Sequence, residues 1–298
     1  MKQGKNTITN KKRIGPRVST LGLILLFLLG AGIAAYPTIS DFVARYNSIE
    51  AIEKYRAYTT NLSDEELEAE WQKARIYNDN LAGDPVRDPF VPESGMALPE
   101  NYQDVLNVAG DGVMGYLEIP RINVALLIYH GTSDEVLETA AGHIEQTSLP
   151  IGGANSHPVL TAHTGLPSAR LFTDLTELEE GDHFYIYVLD QKLTYEVDQI
   201  EVILPEEVEK LHMVPGEDYV TLLTCTPYGV NSHRLLVRGV RIPNEDEEVA
   251  KVEKPDLMVY ILPIVLVVIL LVILILIIRF VGNKRKRDRD SHREEEFN

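Results

Sequence analysis

The 298-residue sequence predicts a mainly β domain, a barrel or a sandwich, held between two membrane-spanning helices. Two observations carry that reading. From Gly112 onward the chain breaks into short runs rich in β-branched and aromatic residues, separated by turn residues, the pattern of an all-β architecture. Near each end lies an apolar run without a charge, nineteen residues at 18–36 and twenty-two at 257–278. About 20 residues at roughly 1.5 Å each cross a hydrocarbon core of about 30 Å, so both runs are long enough to span.

The elements follow in order. Residues 1–17 form a basic tail with Lys2, Lys5, Lys11, Lys12, Arg13 and Arg17 and no acid. Residues 279–298 form another, with Arg279, Lys284, Arg285, Lys286, Arg287, Arg289 and Arg293. Basic flanks at both ends place both termini in the cytoplasm and the intervening domain on the extracellular face of the cell membrane. The first run also passes as a cleavable signal peptide, although no clean small-x-small site stands out near 30–35. Residues 37–82 read as helical. Ser63-Asp64-Glu65-Glu66 forms a capping box, and Leu67, Trp71, Ala74, Asn78 and Leu81 follow on one face. Three prolines, Pro85, Pro89 and Pro92, make 83–95 a stiff extended loop. Strands are expected at 115–119, 124–129, 159–162, 183–189, 193–202, 219–225 and 235–242, and a short helix from Ser168 through Leu178. Residues 243–256, polar and acidic, read as a linker to the second span.

Charge and cysteine content narrow the function. Residues 37–256 hold 15 Lys and Arg against 40 Asp and Glu, a net of −25, which argues against nucleic acid or anionic lipid as partner. The chain has one cysteine, Cys225. An extracellular domain with one cysteine has no internal disulfide, so it stands on its core alone. The thiol is then a buried apolar residue, an intermolecular link or a nucleophile. Cys225 ends the run Tyr-Val-Thr-Leu-Leu-Thr-Cys before the turn Thr226-Pro227-Tyr228-Gly229, and Arg234 begins the next run nine residues on. His163 ends Val-Leu-Thr-Ala-His. Three strand ends could thus bring a thiol, an imidazole and a guanidinium together, and a thiol needs such a neighbour to act as thiolate. No ligand set with metal-binding spacing is apparent.

Thr221-Leu222-Leu223-Thr224-Cys225 followed by Arg234 resembles the TLxTC signature and essential arginine of sortases, and His163 in Leu160-Thr161-Ala162-His163 matches their histidine. The likeness covers about 116–242. The run 224–234, the stretch Gly165-Leu166-Pro167-Ser168-Ala169 and the second span resemble class C, the pilus-building branch. The resemblance implies a closed sortase-type β-barrel with short helices at 96–242, preceded by a helical segment and a lid. It implies a cysteine transpeptidase that needs no cofactor. Cys225, His163 and Arg234 would be catalytic, with Thr224 and Ser168 contacting substrate. Asp88-Pro89-Phe90 resembles the class C lid, with Asp88 pairing with Arg234 and Phe90 covering Cys225. His130, His143 and His233 read as structural. Expected partners are pilins or surface proteins with LPxTG-like sorting signals. The expected reaction cuts between Thr and Gly and transfers a Cys thioester to a pilin lysine; anchoring to peptidoglycan cross-bridge amines, an idle membrane scaffold and a cysteine protease are the alternatives.

Overall fold

The computed structural model describes residues 16–81, 101–244 and 254–295. Residues 40–256 form one compact unit and the terminal segments a second. In the terminal unit lie the first part of α1 (Pro16–Thr60) and α4 (Leu257–Glu295). Both helices contain stretches long and apolar enough to cross a membrane, Ile24–Thr60 and Met258–Gly282. Leu26, Ile33, Leu262 and Leu270 stand exposed on them, an arrangement that suits hydrocarbon better than water.

The other unit is built on a closed barrel. Its strands are β1 (Val113–Ile119), β2 (Val124–His130), β3 (Ala141–His143), β4 (Val159–Thr161), β5 (His183–Val188), β6 (Gln191–Ile203), β7 (Tyr219–Thr226) and β8 (His233–Ile242). They close in the order β1-β2-β3-β4-β7-β8-β6-β5. The β2–β3 and β4–β7 pairs are parallel and the others antiparallel. Closure leaves no unpaired edge. Alternate residues point inward: Leu160, Val220, Leu222, Leu235 and Val237 fill the barrel core, while Val159, Leu223 and Leu236 form an outer cluster with Ile144, Ile203 and Leu211. β7 is apolar on both faces because both are covered.

The second half of α1 packs on the outside of β1 and β2. Ile52 and Tyr55 bury against Val113, Tyr116 and Leu127. The Tyr55 hydroxyl donates to the Met114 carbonyl (3.0 Å) and accepts from the Leu189 amide (2.9 Å). Helix α2 (Asp64–Asn80) opens with the expected capping box, the Ser63 amide donating to the Glu66 carboxylate (2.8 Å) and the Glu66 amide to Ser63 Oγ (3.3 Å). Trp71, Ala74 and Tyr77 enter the main core. Asn78 exchanges two hydrogen bonds with the Leu149 backbone.

The expected helical region is two helices separated at 61–63, where the capping box opens the second. Two expectations need correction. The expected helix from Ser168 shrinks to a 3₁₀ turn at Thr173–Glu177, because Leu171 takes a left-handed φ of 44° that interrupts any earlier helix. Strand β3 was not expected, since Ala-Gly-His has no β-branched residue. It forms because Gly142 lets a neighbouring backbone approach: a Cβ there would lie 2.4 Å from the Gly131 carbonyl oxygen.

Candidate active site

Cys225 and Arg234 face each other directly in the antiparallel β7–β8 register, which sets their Cβ atoms about 5 Å apart on one face. That face is the outer one, continuing the row Leu223 and Leu236. In the parallel β4–β7 pair Thr161 lies beside Leu223, and His163 follows two residues beyond the end of β4. The ends of these strands are laced together. The Ala162 amide and Thr161 Oγ1 both donate to the Leu223 carbonyl (3.4 and 3.1 Å). Thr224 Oγ1 donates to the Ala162 carbonyl (2.8 Å). The backbone on either side of the thiol and the imidazole is therefore fixed.

Arg234 is 6% exposed, and its Nη1 donates to the carbonyls of Asn231 (3.2 Å) and His233 (3.1 Å). Cys225 is partly exposed. His163 is also partly exposed. Burial lowers its pKa below the ordinary value, and the carboxylates of Asp134 and Glu138 act in the opposite sense. Leu223 and Leu236, next along the same face from Cys225 and Arg234, belong to an apolar cluster with Val159, Ile203 and Leu211, and a low dielectric beside the pair strengthens charge interactions there.

The β7–β8 turn and the loop after His163 meet at the rim. Gly165, with φ of 78°, lies under the exposed ring of Tyr228, which a Cβ at Gly165 would approach to 3.3 Å. The sequence reading missed Tyr228, Asp134 and Glu138; an exposed aromatic in a turn directly after the cysteine was the available signal for the first. Ser168 sits partly exposed in the same loop. Thr224 is 1% exposed with its hydroxyl donating to the Ala162 carbonyl, so its side chain holds two strands together. The triplet Asp88, Pro89, Phe90 lies outside the described residues. His143 is fully buried between the Tyr102 hydroxyl (2.9 Å) and the Ser148 carbonyl (2.7 Å). His130 is buried against the carbonyls of Gly112 and Val105. Among the described residues no group of three or more His, Cys, Asp or Glu side chains is placed to hold a metal ion.

The sequence profile of the sortase domain matches residues 117–242. Sortase C of Streptococcus pneumoniae is 44% identical, with a TM-score of 0.61, over 67% of this chain and 100% of its own. The chain belongs to the sortase family. Sortase C-1 of Actinomyces oris is 48% identical, with a TM-score of 0.57, over 59% of this chain and 99% of its own. Sortase A of Streptococcus agalactiae is 31% identical over 117 residues, 38% of this chain and 47% of that relative, so the alignment spans about half of it. The solved relatives are class C members, and this sortase is accordingly a cysteine transpeptidase of that class.

Proposed function

We propose that this sortase cleaves an LPxTG-like sorting signal between Thr and Gly and passes the Thr carbonyl, as a thioester on Cys225, to a lysine amine of a pilin subunit. The observation that supports the reading is the pairing of Cys225 with Arg234 in the β7–β8 register, with His163 just past the end of the neighbouring strand β4. The Cys225 thiolate attacks the Thr carbonyl carbon, and the carbonyl electron pair moves to oxygen beside the Arg234 guanidinium. Collapse expels the glycine amine, which takes its proton from the His163 imidazolium. The lysine amine then attacks the thioester, returns a proton to His163 and releases the thiolate. The pneumococcal relative has pilin substrates, which supports a pilin as acceptor. In the full chain with pilin subunits, Cys225→Ala should abolish covalent polymers, read by mass spectrometry of the isopeptide crosslink; polymers formed without the thiol would sink the assignment.

The arrangement proposed around this site has basic tails at 1–17 and 279–298 in the cytoplasm, spans at 18–36 and 257–278, a helical region at 37–82, a linker at 243–256, and the catalytic barrel at 96–242 outside the cell. The lid is proposed at 83–95, with Asp88 on Arg234 and Phe90 over Cys225. Asp88→Ala or Phe90→Ala should then speed alkylation of Cys225 by a small reagent severalfold. Equal labelling rates would remove the lid from the scheme.

A further inference from the structure

The loop that carries His163 is tied at its far end to α1. The His163 carbonyl accepts from the Phe172 amide (3.2 Å), so residues 164–171 leave the imidazole and return beside it. Just before that bond, Leu171 holds φ at 44°, a conformation leucine adopts only when its surroundings impose it. The constraint lies one residue back. The Arg170 amide donates to Asp41 Oδ1 (3.0 Å), and the Arg170 guanidinium pairs with Asp174 on the other side (Nε to Oδ2, 2.6 Å). Asp41 is 8% exposed, and a carboxylate this buried needs a partner to offset desolvation. Its partner is the backbone of the catalytic loop. α1 itself is held to the barrel nearby, where Ser48 Oγ donates to the Ala125 carbonyl (2.7 Å). A cleft bordered by Arg45, Ile122 and Asp174 opens beside the contact, so the loop end has room to shift once the bond is lost.

We infer that Asp41 is a positioning residue for His163, fixing the imidazole through Arg170, Leu171 and the Phe172–His163 hydrogen bond. The inference rests on the role proposed above for His163. It has a topological consequence. α1 runs unbroken from Pro16 to Thr60, so the side chain that holds the catalytic loop belongs to the same helix as the candidate N-terminal span.

The test uses the full chain in detergent micelles with ring-labelled histidine and a sorting-signal peptide plus an amine acceptor. Asp41→Ala should lower kcat about tenfold, the scale of a small misplacement of a reacting group, with KM within about twofold. It should also speed amide exchange across 164–172 and move the His163 ring titration. Asp41→Asn keeps a side-chain oxygen for the Arg170 amide and should restore most of the rate. Ser48→Ala loosens α1 without touching the loop and should leave the titration and the loop exchange in place. Unchanged kcat and titration in Asp41→Ala overturn the inference, as does a Ser48→Ala variant that reproduces them. Where Asp41→Ala does not fold, Asp41→Glu moves the carboxylate by one methylene and should show the same changes in smaller degree; none at all overturns the inference. His163→Ala is run alongside. If it keeps wild-type turnover, the role of His163 fails, while loop exchange and ring titration still judge the Asp41 contact.

Discussion

Burial acts on three imidazoles of this sortase, and geometry decides what each is for. His143, without solvent contact, lies between Tyr102 and Ser148, and its pKa falls to about 4. His157 is lowered by the same cause; its Nδ1 donates to the His212 carbonyl (2.9 Å), pinning the segment before β7, and its Nε2 meets Thr221 Oγ1 (2.8 Å). His163 is lowered too, yet it is partly exposed and follows the end of β4, the strand beside β7. A lowered pKa leaves fewer rings charged at neutral pH, whereas protonating a leaving amine needs the charged form. Asp134 and Glu138 work against that depletion. Replacing them together, Asp134→Asn with Glu138→Gln, should therefore move the His163 titration to lower pH and reduce turnover at neutral pH. Histidine ring NMR across pH 4 to 8 measures it; a midpoint that stays in place would mean that solvent screens these carboxylates completely.

At the level of elements, the α2 capping box satisfies amides that the first turn leaves open. Ser63→Ala should lower stability by about 1 kcal/mol in urea unfolding while transpeptidation persists. An unchanged midpoint would mean that packing of Trp71 and Tyr77 alone holds the helix. The same cap was legible from four residues of sequence, because a cap is local chemistry. The β7–β8 hairpin was legible for a similar reason: eight residues separate Cys225 from Arg234, and a short turn leaves few registers. His163 was harder, since bringing the end of β4 beside β7 depends on a parallel pairing between strands some sixty residues apart. Strand β3 escaped because its existence comes from two neighbours and a glycine, not from its own propensity. The structural part of Thr224 follows from alternation alone. A residue adjacent to an outward cysteine in a strand faces inward, and there its hydroxyl finds the Ala162 carbonyl.

For the whole domain, the second half of α1 and α2 each pack against the closed barrel, and the segment before β1 is drawn onto it by buried polar contacts. Tyr102, 1% exposed, meets His143 Nδ1 through its hydroxyl and accepts from the Gly131 amide (2.9 Å). That arrangement makes folding depend on pH with a definite sign. The His143 pKa is about 4 in the fold and 6.5 as a free side chain, so between those values the unfolded chain binds a proton that the folded one refuses. Stability is then complete above pH 6.5 and is lost progressively as pH falls toward 4, with His157 and His163 contributing in the same direction. For His143 alone the loss is on the order of 3 kcal/mol. Urea midpoints between pH 7.5 and 4 should fall accordingly, and His143→Gln, less stable at neutral pH, should show a flatter profile. A variant that loses stability with the same slope would place the proton uptake on other groups and leave the Tyr102–His143 contact as packing alone.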